Sequence, residues 1–257
     1  MDKRIEYLRE FVSGERRALF ERLIEERTGY ATVLLEDMYQ SRNCSAILRT
    51  CDCLGVQHVH VVEGKYPFRE DPGVSMGAGA WLSVHRYSRE EGGVVRAAEV
   101  LRGEGFRIVA ATPGERESMV DDLDARRGKV AFLVGTEATG LSAEALALAD
   151  ERVKVPVYGF MESYNAGVCA ALLLYSVVQR ARRDGVAWRL GERERQEVLL
   201  AWYKRAVRDS DAILRRFEEG MAGDDLSPGR RLDDLEKVGR FEGGPSDESA
   251  VDVGTGE

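Results

Sequence analysis

Between Ala31 and Arg183 the chain sets short, unbroken apolar runs among stretches of helical periodicity. Ala31–Leu35 (ATVLL), Val59–Val62, Leu82–Tyr87, Arg107–Ala111 (RIVAA), Val130–Val134 (VAFLV) and Val153–Val157 (VKVPV) each have the length of a strand. Helical patterns over Ser45–Leu54, Gly93–Arg102, Ser142–Ala149 and Asn165–Arg183 lie among them. A strand that is apolar at every position has no face to give to water, so both faces of its sheet must be covered. That predicts an α/β fold with a mostly parallel sheet and helices on both sides.

Helical patterns also flank this region. Ile5, Leu8, Phe11 and Val12, then Leu19, Phe20, Leu23 and Ile24, recur at helical spacing before Thr28-Gly29, and a longer pattern runs from Glu192 to Glu219. The expected organisation is a helical extension over 1–30, the α/β domain over 31–190, a basic helix over 191–220 and an acidic tail over 221–257. The tail has too little apolar surface to offset the entropy of ordering, so it is expected to be disordered.

The 257 residues carry a formal net charge of −8, which taken alone argues against a polyanion as partner. Its distribution reverses that. From Met221 onward there are four basic and ten acidic residues, whereas Val178–Arg216 holds eleven Lys/Arg against six Asp/Glu. Local charge decides where a polyanion docks. Arg16, Arg17, Arg22 and Arg27 alternate with Glu15, Glu21, Glu25 and Glu26, which the plainer reading makes a solvated face of i,i+4 pairs. No run approaches the ~18 apolar residues of a membrane span, and the first ten residues carry no secretory signal, so the expected compartment is the cytoplasm. Cys44, Cys51, Cys53 and Cys169 match neither a redox nor a zinc spacing and read as small buried residues.

The usual catalytic sets are missing. His58 and His60, two apart on a strand, read as surface or half-buried residues, and without a third ligand they make no metal site. No nucleophile elbow, Walker lysine or dinucleotide glycine fingerprint follows the first strand. Three segments, each at the carboxyl end of a strand, stand out instead, and that is where open α/β sheets build their sites. In Arg42–Asp52 (RNCSAILRTCD), Asn43 or Ser45 can cap the following helix, and Arg49 sits in an apolar run where a guanidinium either snorkels outward or faces an anion. Gly135–Ser142 (GTEATGLS) places Glu137 between glycines that let backbone approach a ligand. Pro156–Val168 (PVYGFMESYNAGV) feeds a polar loop with Ser163 and Asn165 into an apolar helix.

In this order the three segments resemble the motifs of the SpoU class of RNA 2'-O-ribose methyltransferases, within the knotted SPOUT superfamily. The likeness is strongest to the enzymes that methylate guanosine 18 in the tRNA D-loop, and it covers roughly Gly14–Leu190. It implies a deep trefoil knot in the C-terminal part of the α/β domain, S-adenosylmethionine as cofactor and a homodimer acting on tRNA, or alternatively on rRNA. Carried over position by position, it implies catalytic roles for Arg49, Asn43, Glu137, Ser163 and Asn165. Cofactor contacts are implied at Ala111, Thr112, Gly135, Val155 and Tyr164. The basic segments then become the expected RNA grip, through Arg16, Arg17, Arg22, Lys204, Arg205 and Arg208. Gly167 and Tyr164 depart from the serine and leucine that family members often carry.

Overall fold

The computed structural model describes residues 2–114, 117–136 and 139–222; Glu137 and all but the first two residues of the acidic tail lie outside that range. Chain order is α1 (Lys3–Arg9), α2 (Gly14–Ile24), β1 (Ala31–Glu36), α3 (Ser41–Leu54), β2 (His58–Glu63), α4 (Pro72–Ser75), β3 (Ser83–Ser88), α5 (Gly93–Gly103) and β4 (Phe106–Ala111). It continues with β5 (Ser118–Met119), β6 (Lys129–Val134), α6 (Ala143–Leu148), β7 (Glu151–Lys154), α7 (Ala166–Arg183), α8 (Glu192–Ala206) and α9 (Ser210–Ala222).

The seven strands form one sheet in the order β3-β2-β1-β6-β4-β7-β5, with all neighbours parallel. The central pair, β1 and β6, runs in register from Ala31↔Val130 to Leu35↔Val134. Its continuous apolar character follows from period-two alternation into two different cores. Val33, Leu35, Phe132 and Val134 pack beneath α3 and α7 with Ile47, Leu48, Leu173 and Leu174. Leu34, Ala131 and Leu133 face the opposite way, onto Ala97 and Leu101 of α5 and Ala145 of α6. The mostly parallel α/β expectation holds. β7 lies between β4 and β5, both laid down before it in sequence.

Residues 2–210 form one compact unit that includes the flanking helices α1, α2 and α8. Phe20 of α2 packs on Trp81, Trp202 and Tyr203 at centroid distances of 5.2–5.6 Å, so the N-terminal helices and α8 share one aromatic core. The single basic helix expected over 191–220 is instead two. Helix α8 ends at Ala206, and Asp209 takes a left-handed φ of 54°, which a helix cannot continue through. Beyond Ser210 lies a second unit, whose described part, α9, carries Ile213, Leu214 and Phe217 on one face.

The charged N-terminal segment also corrects its reading. Arg27 is only 4% exposed, bonded to Asp52 at 2.5 Å and stacked on Trp202 at 5.1 Å. Glu25 pairs with Arg195 and Glu26 with Arg182, so these acids reach across the fold and not along their own helix. Cys44 and Cys51 are buried as expected, but Cys53 is exposed and Cys169 half-buried. His60 is fully buried, not half-exposed, with Nδ1 2.9 Å from the Tyr87 hydroxyl. His58 sits 3.0 Å from His85 and 2.8 Å from Glu194 of α8. Burial, reinforced by His85 and His58, pushes the His60 pKa down to about 3. Among the described residues no helix is long and apolar enough to cross a membrane.

Candidate active site

The carboxyl ends of β4, β6 and β7 open into a cavity of about 380 Å³, within the size range of small-molecule sites. All five positions expected to hold a cofactor line it: Ala111 and Thr112 after β4, Gly135 after β6, Val155 after β7, and Tyr164. Ser163 lines it too. Its wall combines Ala, Val, Gly, Pro and Leu, which offer a ligand only peptide groups for hydrogen bonding, with polar side chains such as Thr112, Lys154, Glu162 and Ser163.

Local structure explains why these loops stay open. A Cβ built on Gly135 would lie 2.3 Å from the Gly140 carbonyl oxygen and 2.6 Å from the Leu141 nitrogen, so position 135 takes no side chain without moving the loop. Gly140 itself adopts φ 68°, and its N–H donates to the Thr136 carbonyl at 2.9 Å. Ser142 caps α6 through Ala145 N, while Glu36 at the end of β1 accepts from both the Ser142 amide and hydroxyl at 2.8 and 2.6 Å. The phenol of Tyr164 donates to the Pro156 carbonyl at 3.1 Å, closing the 156–164 loop on itself. Cys169 also lines the cavity, and burial raises its thiol to about 11, so it stands there as a protonated side chain and not a thiolate.

Asn165 is the N-cap of α7, accepting from Gly167 N and Val168 N at 2.9 and 3.3 Å. Its amide donates to Asn43 Oδ1 at 3.1 Å, and Asn43 in turn donates to Gln40 Oε1 at 3.2 Å. Neither Asn43 nor Ser45 caps α3, contrary to the capping alternative. The helix starts four residues earlier than expected, at Ser41, with extended Gln40 before it. Asn43 is instead turned to the α7 cap, and Ser45 accepts from Asp71 N at 2.7 Å. Gly167 fits the close approach of these helices: a Cβ there would sit 3.2 Å from Asn165 Oδ1 and 3.6 Å from Ala46.

Arg49 is not in the cavity. It is exposed on α3, without a hydrogen bond or ion pair among the described residues, and lines a separate open groove with Ala46, Thr50, Ala171, Leu172 and Tyr175. The structure therefore unites the five positions expected to hold a cofactor and joins Asn43 to Asn165, but leaves Arg49 on a neighbouring surface. Glu137 lies outside the described residues. Arg16, Arg17 and Arg22 lie on α2 and Lys204 and Arg205 on α8, two helices that pack on each other through Phe20 and Tyr203, with Arg208 in the turn after α8.

Sequence reasoning missed Arg180. Its guanidinium donates to the carbonyls of Val120, Asp121 and Leu123 at 2.5, 2.7 and 2.8 Å. This pins the turn after β5, whose Ser118 and Met119 pair with Val153 and Lys154 on the cavity wall. In sequence Arg180 is one of several arginines ending an apolar helix, and nothing there separates a clamp from a solvated charge.

A family model described as the SpoU rRNA Methylase family matches residues 30–175. The chain is 37% identical to a tRNA (guanosine(18)-2'-O)-methyltransferase of Borreliella burgdorferi, over 82% of this chain and 94% of that protein. The fold is similar to that of the A. aeolicus TrmH/SpoU tRNA modifying enzyme, with a TM-score of 0.68 and 24% identity over 76% of this chain and 98% of that one. The SpoU methyltransferase AviRb from Streptomyces viridochromogenes, in complex with the cofactor AdoMet, superposes with a TM-score of 0.53 and 27% identity over 63% of this chain and 64% of that one. With the three motifs, the parallel sheet and the cavity in agreement, the chain belongs to the SpoU methylase family.

Proposed function

We propose that this protein transfers a methyl group from S-adenosylmethionine to a ribose 2'-hydroxyl of tRNA, at guanosine 18 of the D-loop. The observation that carries the reading is the convergence of Ala111, Thr112, Gly135, Val155 and Tyr164 on one cavity. Bound there, S-adenosylmethionine would supply an electrophilic methyl group. A bond forms from the ribose oxygen to that carbon, the carbon–sulfur bond breaks, and the hydroxyl proton leaves to the RNA phosphate or solvent.

This chain's residues have separable tasks in that reaction. Arg49 is a cation that holds the phosphate beside the reacting ribose and stabilises the developing alkoxide. The Asn43–Asn165 bond fixes the start of α7 against α3, orienting the groove that carries Arg49 relative to the cavity. Ser163, in the cavity wall, holds the loop that meets the substrate, and Glu137 keeps the catalytic role the family motif gives it. Basic residues of α2 and of α8 with the turn after it grip the RNA backbone through Arg16, Arg17, Arg22, Lys204, Arg205 and Arg208.

The reading includes a threaded, knotted chain, consistent with β7 lying between the earlier strands β4 and β5. It also includes a homodimer in the cytoplasm. Tyr158 (94% exposed), Phe160, Met161, Val168, Leu172 and Tyr175 present large apolar side chains to solvent on the 156–164 loop and α7, the kind of surface a partner subunit covers. Leu172 and Tyr175 continue this surface into the Arg49 groove, so a second copy seated there would complete the site.

The test is incubation of the protein with labelled S-adenosylmethionine and unmodified tRNA or rRNA, followed by mapping of the ribose methyl. Label at guanosine 18 of tRNA is expected. Label in rRNA alone would replace the substrate, and label in neither would leave an RNA-binding protein without transfer activity.

A further inference from the structure

We infer that Tyr39, backed by Tyr66, is a stacking platform for an unpaired base of the RNA substrate, next to the nucleotide that is methylated. The inference rests on the RNA methyltransferase reading above and adds a residue that reads the RNA through a base.

Tyr39 stands in the turn from β1 to α3, at the same sheet edge as the cavity, and is 65% exposed. The turn is rigid on both sides of it. Met38 is buried in the core, and Gln40 accepts from Asn43 of α3. Asp37 takes a left-handed φ of 48°, and its carboxylate accepts from Tyr66 N at 2.8 Å. Gly64 fits closely over that carboxylate, since a Cβ there would lie 3.0 Å from it. The two loops are thus latched together, and the Tyr66 ring meets the Tyr39 ring edge-on, 4.9 Å between centroids at 65°. This leaves the tyrosine held from behind by another ring and open in front, costing little entropy when a planar partner arrives.

The surroundings fit a nucleic acid better than an apolar protein segment. Lys65 lies 5.3 Å from the Tyr66 ring, and neither it nor Arg69 forms an ion pair among the described residues. Arg42 is 83% exposed at its side chain and only 3.9 Å from Asp71, a long contact. Bases splayed from single-stranded RNA loops stack on aromatic rings flanked by such cations. Ser41 and Arg49 are eight residues apart on α3, about 12 Å of helix rise, so the base on Tyr39 belongs to a flanking nucleotide and not to the reacting one.

The experiment combines Tyr39→Phe, Tyr39→Leu and Tyr39→Ala with tRNA transcripts carrying single abasic nucleotides through the D-loop, reading Kd by fluorescence anisotropy. Tyr39→Phe keeps the ring and should bind like wild type, whereas leucine and alanine should each weaken binding about tenfold. One abasic position should weaken wild type equally and the alanine variant no further, identifying the base. Affinity for S-adenosylmethionine should be unchanged in all variants. Equal Kd for wild type and the alanine variant on every transcript overturns the proposal, as does a shift of Tyr39→Ala from dimer to monomer in sedimentation, which would seat the ring on a second copy. Absence of methyl transfer by wild type would strike the functional reading alone, because the binding cycle still decides the platform.

Discussion

The cavity at the ends of β4, β6 and β7 and the groove between α3 and α7 differ in how far the chain itself completes them. The first is walled by residues of the loops after β4, β6 and β7, where Gly135 packs too closely on Gly140 for a side chain and Arg180 holds the turn after β5, the strand beside β7. The second is open, edged by exposed Tyr175 and Leu172, and holds Arg49 with no partner among the described residues. A site for a cofactor common to every turnover gains from being prebuilt, since nothing need then be ordered on binding. A cation meant for a phosphate that arrives with the substrate must stay unpaired until then, because an intramolecular carboxylate would compete.

That contrast can be broken in stages. The largest expected effect is from Arg49→Ala, which should lower kcat by about 10²–10³-fold while leaving the Kd for S-adenosylmethionine, measured by calorimetry, unaltered. A matching loss of cofactor affinity would erase the division between the two surfaces. Next is Gly135→Ala, whose new methyl group collides with the Gly140 carbonyl; the displaced loop should cost about 1–3 kcal/mol, seen as a roughly 5- to 150-fold weaker cofactor Kd. Unchanged affinity would mean that this loop does not form the cofactor wall.

A smaller change is expected for Arg180→Met, which leaves three carbonyls without their donor. Melting temperature should fall, by about 1–3 kcal/mol in stability, and KM for S-adenosylmethionine should rise severalfold with kcat held. A fall in kcat at unchanged KM would place the clamp outside the cofactor wall. A last expectation concerns pH, on β2, which β1 separates from the cavity strands. His60 is depressed from 6.5 to about 3 in the fold, so between those values the unfolded chain binds the extra proton. Stability should therefore be intact above pH 6.5 and fall as pH drops toward 3. Denaturant titrations of wild type and His60→Gln should diverge over that window, and parallel curves would assign the acid sensitivity elsewhere.

How much of this was legible in sequence depends on the range of the forces involved. The continuous runs ATVLL and VAFLV announced strands covered on both faces, because burial on alternate sides leaves a mark at every residue. Strand order left none, and β5, with two residues, is too short for any period to register. The break between α8 and α9 was invisible because apolar positions recur on both sides of Asp209, whose backbone conformation no periodicity encodes. At the site, the resemblance to family motifs named five positions that the structure gathers around a single cavity. Composition could not have located Arg180, since its meaning lies in three carbonyls roughly sixty residues upstream.

The peptide groups in the cavity wall have a consequence for mutational escape. A competitor that gripped the same main-chain groups would offer a point mutation little to remove, because replacing Val155 or Ala111 keeps the amide in place. Resistance would have to come from reshaping a loop, and at Gly135 there is no room for even one added carbon.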